Sequence, residues 1–248
     1  MTPFPVIGDH FFLPGESVVH RLNLRTGAIK SKDFEKGLPF LWSDGQEVYY
    51  LTGAPGGAED CEIGRVEKDT LERFALQGLI WGGLCEAGSF IAMSKDIPRY
   101  ARATTEDGTE AIFIFHGNDL EKRIPVGSAT NRTYLGNMQW APDGRTIYAT
   151  FVKRLAGERL DQVGVLEIAV DGSSVREIPL MHLRIGPLNE KLVGIQIALS
   201  PDGRTIAALS PPPESWEEEG GLYLVDLAIP DRKIARIPFP ESLLQEKY

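Results

Sequence analysis

The feature that most constrains the fold is a ten-residue motif that occurs twice. Residues 140–149 read Trp-Ala-Pro-Asp-Gly-Arg-Thr-Ile-Tyr-Ala, and residues 199–208 read Leu-Ser-Pro-Asp-Gly-Arg-Thr-Ile-Ala-Ala. In such a segment Pro fixes the first central position of a turn, Asp binds its own backbone, and Gly accepts the left-handed conformation. An apolar residue precedes the turn and β-branched residues follow it, which predicts a strand on each side. The motif therefore predicts a strand–turn–strand unit that repeats along the chain.

Fainter copies of the motif extend the repeat to the rest of the chain, at 42–49, at 84–92 and, most weakly, at 6–13. The aligned glycines of the five copies are Gly8, Gly45, Gly88, Gly144 and Gly203. They are separated by 37 to 59 residues. A period near 40 residues, stretched by insertions, is the size of one four-stranded propeller blade.

A second series of signals supports the same repeat. Alternating apolar runs lie between the motif copies, and three of them lead into an Ile-Pro pair at Ile124, Ile178 and Ile237. The two series alternate in strict order along the chain, which predicts an all-β, five-bladed β-propeller of four-stranded antiparallel blades. We expect a single domain over residues 1–248, with blades at approximately 1–36, 37–77, 78–127, 128–181 and 182–240 and a tail at 241–248.

The repeated motif resembles the WD40-like (PD40) repeats of TolB-type propellers. The match is strongest at 140–149 and 199–208, lacks the Pro at 42–50, and lacks both Pro and Asp at 84–93. The resemblance implies a propeller over nearly the whole chain, in a family that includes periplasmic scaffold proteins and propeller domains of some peptidases. The peptidase comparison is not matched here, because no α/β-hydrolase domain follows and the sequence contains no Gly-x-Ser-x-Gly motif.

The net charge and the distribution of apolar residues argue against some classes of function. The chain has 26 Lys and Arg against 35 Asp and Glu, a net charge of −9, which argues against a general nucleic-acid binder. No apolar stretch approaches the ~18 residues of a membrane span. The N-terminus lacks the pattern of a signal peptide, which favours the cytoplasm over the periplasm. The amphipathic tail at 241–248 leaves open that this is one domain of a longer chain.

The predicted propeller sorts its loops onto two faces. With strands A to D running from channel to rim, the Asp-Gly turns join A to B and share one face, the turn face, with the C–D hairpins. The B–C and D–A connections open on the opposite face, the loop face. We expect long B–C loops at approximately 53–60, 95–109, 153–162 and 211–220 and long D–A connections at 127–135 and 181–191. Insertions would therefore collect on the loop face, where binding usually resides.

The loop face is the predicted binding surface for a protein partner of unknown identity. Arg, Tyr and Trp are the residue types that anchor protein interfaces. The candidate anchors are Arg99, Tyr100, Arg102, Arg154, His182, Arg184 and Trp216. The alternative is a set of solvated polar loops whose charges only keep the protein soluble.

No catalytic, metal or cofactor site is predicted from the remaining polar residues. Asp44, Asp143 and Asp202 recur at matched positions because the turn requires them. The four histidines show no metal-ligand spacing. Cys61 is expected to begin a C strand at the loop face, and Cys85 to end an A strand at the turn face. They would be too far apart for a disulfide, so we expect two free thiols.

The alternative function, binding or hydrolysis of a small ligand, would use the central channel. Asn137 and Gln196 fall at the same position of two A strands and are predicted to line the channel, holding either water alone or a small ligand. The A strands expected near 3–7, 38–42, 79–84, 135–140 and 194–199 contain no Asp or Glu, which weighs against a glycosidase-like site. A small-ligand-binding or hydrolytic propeller would instead need His182, Arg184 and loop carboxylates to converge at the channel mouth. How the ring closes depends on whether 3–7 forms the first A strand.

Overall fold

The computed structural model describes residues 5–15, 17–33, 39–43, 47–54, 57–75, 90–94, 99–106, 109–116, 119–127, 133–154, 161–183, 195–200, 202–209, 221–229 and 231–238. Within these residues the chain forms five four-stranded antiparallel sheets arranged in a ring, and no helix. The predicted all-β, five-bladed propeller is therefore confirmed. No helix of the described part is long and apolar enough to cross a membrane.

Each blade is built from four consecutive strands. Blade 1 contains β1 (Val6–Ile7), β2 (His10–Pro14), β3 (Val18–Asn23) and β4 (Ile29–Asp33); blade 2 contains β5 (Pro39–Ser43), β6 (Val48–Ala54), β7 (Gly57–Val66) and β8 (Arg73–Ala75); blade 3 contains β9 (Phe90–Met93), β10 (Arg99–Glu106), β11 (Thr109–His116) and β12 (Asp119–Pro125); blade 4 contains β13 (Thr133–Trp140), β14 (Thr146–Arg154), β15 (Asp161–Ala169) and β16 (Val175–Leu183); blade 5 contains β17 (Gln196–Leu199), β18 (Thr205–Leu209), β19 (Gly221–Asp226) and β20 (Lys233–Pro238). Because β1 pairs with β2, the first blade has its own inner strand, and its four described strands all come from the N-terminal part of the chain.

The repeated turn has the chemistry that the motif predicts. The Asp143 carboxylate accepts a hydrogen bond from the Arg145 amide at 2.8 Å, and the Asp202 carboxylate accepts one from the Arg204 amide at 3.1 Å. The glycine between each pair has a φ of 70°, in the left-handed region. The Ser200 hydroxyl also donates to Asp202, which lowers the pKa of that carboxyl together with the Arg204 amide. These aspartates therefore stabilise the turns, as expected, while Asp44 lies outside the described residues.

Blade 3 departs from the predicted register. Its innermost described strand is β9 (Phe90–Met93), whereas the motif copy at 84–92 predicts that these residues follow the A–B corner. The Ser94 amide donates to the Arg99 carbonyl at 3.0 Å, as the Ala141 amide does to Thr146 at 2.8 Å. The A–B connection of blade 3 is therefore 94–98, and the placement of its corner at Gly88 was wrong.

The physical reason is that the true corner lacks glycine. The sequence at 94–98 is Ser-Lys-Asp-Ile-Pro, which keeps the aspartate of the motif but has Ile97 where the motifs of blades 4 and 5 have Gly144 and Gly203. The next glycine upstream is Gly88, and it is there that the Gly-centred motif predicts the turn. The predicted inner strand at 79–84 lies outside the described residues.

The core lies in the interfaces between neighbouring blades, which we call seams. Three buried apolar clusters occupy the described parts of seams 1–2, 3–4 and 4–5. Trp140 is buried in seam 3–4, where its indole N–H donates to the Ala92 carbonyl at 2.9 Å. This confirms the expected packing of Trp140 between blades; the Trp42 side chain lies outside the description.

Candidate functional site

The lengths of the connections show where the loop face is largest. The B–C connections of blades 1 to 3 contain only two or three residues, at 15–17, 55–56 and 107–108. Those of blades 4 and 5 span 155–160 and 210–220, and the D–A connection between these blades spans 184–195. The predicted B–C loops at 53–60 and 95–109 were wrong, because most of these residues belong to β6, β7 and β10. Two of the three longest connections on the loop face, 184–195 and 210–220, therefore lie at blades 4 and 5, and the third, 76–89, joins blade 2 to blade 3.

Arg99 does not lie on a loop, contrary to the prediction. It is the first residue of β10, at the turn-face end of blade 3. Its Nε donates to the Glu121 carboxylate at 2.7 Å, and its guanidinium lies 5.5 Å from the centre of the Trp140 ring. The corrected register of blade 3 moves Arg99 to the face opposite the predicted one, where it braces seam 3–4.

Tyr100 and Arg102 also lie in β10 rather than in a loop, and they share a side of the sheet that Arg99 does not. Tyr100 is buried and stacks on Phe115 with ring centres 5.0 Å apart. The Arg102 guanidinium lies 5.9 Å from the centre of the same Phe115 ring. Successive side chains of a strand point to opposite sides of the sheet, so Arg99 lies on one side and Tyr100 and Arg102 on the other. The three candidates therefore form no common surface.

Arg154 and His182 do lie at the loop-face end of blade 4. Arg154 ends β14 and pairs with Asp161, while the exposed His182 pairs with Gln162, so the strand ladder brings them to one edge. His182 was expected on a loop but lies in β16, because a register shift opposite Val163 and Gly164 lets that strand continue past Pro179. Arg184 and Trp216 lie outside the described residues.

The Asn137 side chain forms a hydrogen bond between blades 4 and 5. Its Nδ2 donates to the Ile195 carbonyl at 2.8 Å, and two residues further on Gln139 Oε1 accepts from the Leu199 amide at 2.9 Å. Both amides therefore join the inner strands of blades 4 and 5. Gln196, the aligned residue of blade 5, is exposed.

The five innermost strands of the structure also lack acidic residues. β1, β5, β9, β13 and β17 contain no Asp or Glu, including β9, which replaces the predicted strand at 79–84. Within the described residues, no group of three His, Cys, Asp or Glu side chains could hold a metal ion. Cys85 and the Cys61 side chain lie outside the description, so the expectation of free thiols stays a prediction.

A charged cluster in seam 4–5 is absent from the predicted set. Arg232, in the C–D turn of blade 5, places Nη2 at 2.8 and 2.6 Å from the two carboxylate oxygens of Glu167 in blade 4. Nη1 of the same arginine donates to the Leu227 carbonyl. Tyr148 lies directly opposite Glu167 in the strand ladder. The sequence gives no signal for this cluster, because a glutamate at an alternating strand position looks like an ordinary solvent-facing residue.

In seam 1–2, the equivalent position of the C strand carries a side chain of the opposite charge. Arg21, like Glu167, lies two residues before the end of its C strand. Its Nη1 donates to the Lys68 carbonyl at 2.5 Å and lies 3.3 Å from the Asp69 carboxylate, in the C–D turn of blade 2. In both seams a charged side chain on one blade therefore binds the C–D turn of the next.

Tyr148 gives the cluster a measurable pH dependence. Burial raises the pKa of its phenol to about 12, and the nearby Glu167 carboxylate adds to the rise. An unfolded tyrosine titrates near pH 10, so the native state holds this proton more tightly. Stability should therefore be retained below about pH 10 and fall by about 2–3 kcal/mol as the pH rises towards 12.

The check is urea unfolding of wild type and Tyr148→Phe at about pH 8 and about pH 11.5. Phenylalanine keeps the ring and removes the titrating group, so the loss of stability between the two pH values should be smaller in the variant. Equal losses in both proteins would contradict the assignment.

The comparisons with known proteins show similarity of fold. No protein-family model matches the chain, and no curated protein is similar to it in sequence. A structure assigned to TolB from Agrobacterium tumefaciens is similar over 92% of this chain and 76% of that one, with a TM-score of 0.55 and 15% identity. The β-propeller domain of the Trilobed protease from Pyrococcus furiosus aligns over 94% of this chain and 69% of that one, with a TM-score of 0.47 and 13% identity.

The TolB likeness supports the β-propeller architecture. At 15% identity it defines the fold and carries no residue-level assignment.

Proposed function

We propose that this chain is a non-enzymatic scaffold of the TolB-type, WD40-like (PD40) repeat class that binds a protein partner through the loop face of blades 4 and 5. The observation that carries the proposal is that two of the three longest connections of the loop face, 184–195 and 210–220, lie there beside the B–C connection 155–160. Long loops on a rigid framework are the usual place for recognition. Arg154 and His182 border these connections, and Arg184 and Trp216 belong to them.

The framework beneath these connections supports a binding role. Blades 4 and 5 share a buried cluster that includes Val165, Ile178, Ile206 and Tyr223. The Glu167–Arg232 pair joins the same two blades at the turn face. Such a base holds the strand ends that flank these connections in fixed positions, which favours specific recognition.

The polar groups of the turn face favour a structural role for that side. Asp143, Asp171 and Asp202 each accept hydrogen bonds from backbone amides of their own turns. Hydrogen bonds from Ser173, through its hydroxyl and its amide, lower the pKa of Asp171. Carboxylates used in this way stabilise their own turns, which leaves the loop face as the candidate for binding.

The test is affinity capture from a lysate of the source organism, followed by a binding measurement with the purified partner. The loop-face variant carries Arg154→Ala and Arg184→Ala, and the matched control carries Arg145→Ala and Arg204→Ala, two exposed arginines of the A–B turns. If the two loop-face arginines anchor the partner, their loss should raise Kd roughly thirtyfold or more. The control should bind like wild type.

A second variant, Trp216→Ala, tests the aromatic anchor in the connection of blade 5 and should weaken the same partner. Circular dichroism of every variant confirms that it is folded. Equal binding by the loop-face variant and the control would contradict the proposed surface. Failure of the wild type to retain any partner would overturn the scaffold function.

A further inference from the structure

The long connection 184–195 ends at Ile195, the residue directly before β17 of blade 5. Ile195 is 1% exposed and belongs to the buried cluster of seam 4–5. It lies outside the strand ladder of its own blade, whose first described pair here is Gln196 with Leu209. Its carbonyl accepts the 2.8 Å hydrogen bond from Asn137 Nδ2. Blade 4 therefore fixes the point at which this connection enters blade 5.

A β-bulge in β13 turns Asn137 towards blade 5. Leu135 pairs with Phe151 and Met138 pairs with Ala149, so two residues of β13 lie opposite one residue of β14. Leu135 and Met138 are an odd number of positions apart, yet both pack in the buried cluster of seam 3–4. In a regular strand Asn137 would point to the same side as Leu135, away from blade 5. The bulge reverses this direction, and re-aiming a side chain is a known use of bulges.

A second side-chain amide of β13 binds the opposite end of β17. Gln139 Oε1 accepts from the Leu199 amide at 2.9 Å, next to the A–B turn of blade 5. Leu199 follows Ile195 by four residues, a distance of about 13 Å along a strand. Asn137 therefore acts at the loop-face end of β17 and Gln139 at the turn-face end. In blade 3 the residue aligned with Asn137 is Phe90, whose side chain has no hydrogen-bonding group.

We propose that Asn137 is a positioning residue of the loop face, which fixes the end of connection 184–195 for recognition of the partner. This inference rests on the proposed function, because the connection contains Arg184 and belongs to the proposed binding surface. Asn137 is buried in seam 4–5, so it acts through Ile195 and not by touching the partner. Fixing one end of a chain segment limits the conformations that the segment can adopt, which lowers the entropic cost of binding.

The test removes this one hydrogen-bond donor from the full-length protein. Asn137→Leu keeps a side chain of similar shape and leaves the Ile195 carbonyl without the donor from blade 4. The matched control is Gln139→Met, which removes the equivalent hydrogen bond at the turn-face end of β17. Circular dichroism checks the folding of both variants. If Asn137→Leu does not fold, Asn137→Ala removes the same donor without adding a branched side chain and takes its place in both measurements.

The first measurement, the rate of trypsin cleavage after Lys191, needs no partner. This bond lies four residues before Ile195, and a protease must hold the chain on both sides of the bond that it cuts. Asn137→Leu should therefore raise the rate roughly fivefold or more, as expected for loss of a buried hydrogen bond. Cleavage after Arg25, in the C–D turn of blade 1, reports opening elsewhere and should keep its wild-type rate. In Gln139→Met both rates should change by less than about twofold.

The second measurement is the affinity for the partner that the wild type captures and that is then purified. Asn137→Leu should raise its Kd roughly fivefold or more, and Gln139→Met should change it by less than about twofold. Unchanged cleavage after Lys191 or unchanged affinity in Asn137→Leu would overturn the positioning role and leave the proposed surface standing. Equal effects of the two variants would also overturn it, since the cause would then be the stability of the seam. A wild type that retains no partner would overturn the proposed function, and the role of Asn137 in recognition with it.

Discussion

Replacing Trp140 with alanine is expected to lower the free energy of unfolding by about 3–5 kcal/mol, the usual cost of removing a buried large aromatic side chain. Trp140 is 7% exposed in seam 3–4. The variant would lose the packing of the ring against both blades and its hydrogen bond to Ala92. It would also remove the ring on which the Arg99 guanidinium lies. Urea unfolding followed by circular dichroism measures the loss.

Two further substitutions separate packing from hydrogen bonding at this position. Trp140→Phe keeps most of the ring but leaves the Ala92 carbonyl without its donor, at a cost of about 1–3 kcal/mol. Trp140→Leu introduces the residue that blade 5 uses at the same position, Leu199, and should fall between the other two. A loss below about 1 kcal/mol for Trp140→Ala would contradict the packing of seam 3–4 described above.

The turn chemistry made much of the fold predictable. Pro-Asp-Gly corners are local: the aspartate binds an amide two residues away and the glycine takes a φ that other residues avoid. A local signal of this kind can be found in one sequence, and its spacing gave the number of blades. The Ile-Pro pairs were equally informative, since Ile124 and Ile178 are buried where the repeat requires it.

Where the local signal was lost, the prediction failed. Blade 3 has Ile97 in place of the corner glycine, and the register predicted for that blade was wrong as a result. Because of this error, the prediction placed Arg99, Tyr100 and Arg102 in a loop on the opposite face, whereas they lie in strand β10. Arg154 and His182, in a blade whose corner keeps the whole motif, were placed at the correct face.

Contacts between blades could not be read from the sequence at all. Glu167 and Arg232 are 65 residues apart and meet because neighbouring blades lie side by side. The hydrogen bond from Asn137, a residue predicted to line the channel, to the backbone of the next blade is a second such contact. Such pairs depend on the distance and twist between sheets, which no repeat motif encodes.

Removing either partner of the Glu167–Arg232 pair is expected to cost about 2–3 kcal/mol, somewhat less than a fully buried pair. The Arg232 and Glu167 side chains are 14% and 23% exposed, so each would be left with a poorly solvated charge. We expect Glu167→Gln and Arg232→Met each to be destabilised, and the double variant to lose at least about 1 kcal/mol less than the sum of the two. Arg232→Met retains the length of the side chain at a residue whose φ is 47°.

The matched control for this cycle is the Arg25–Asp9 pair on the same face of blade 1. Its charged atoms are 2.7 Å apart, as close as those of Glu167 and Arg232, but its side chains are 77% and 49% exposed. Water screens such a pair, and Arg25→Met or Asp9→Asn should change the free energy of unfolding by less than about 1 kcal/mol. Equal effects at the two pairs would show that proximity alone decides their strength. A larger effect at Glu167 and Arg232 would instead mark seam 4–5 as a locked base for the long connections above it.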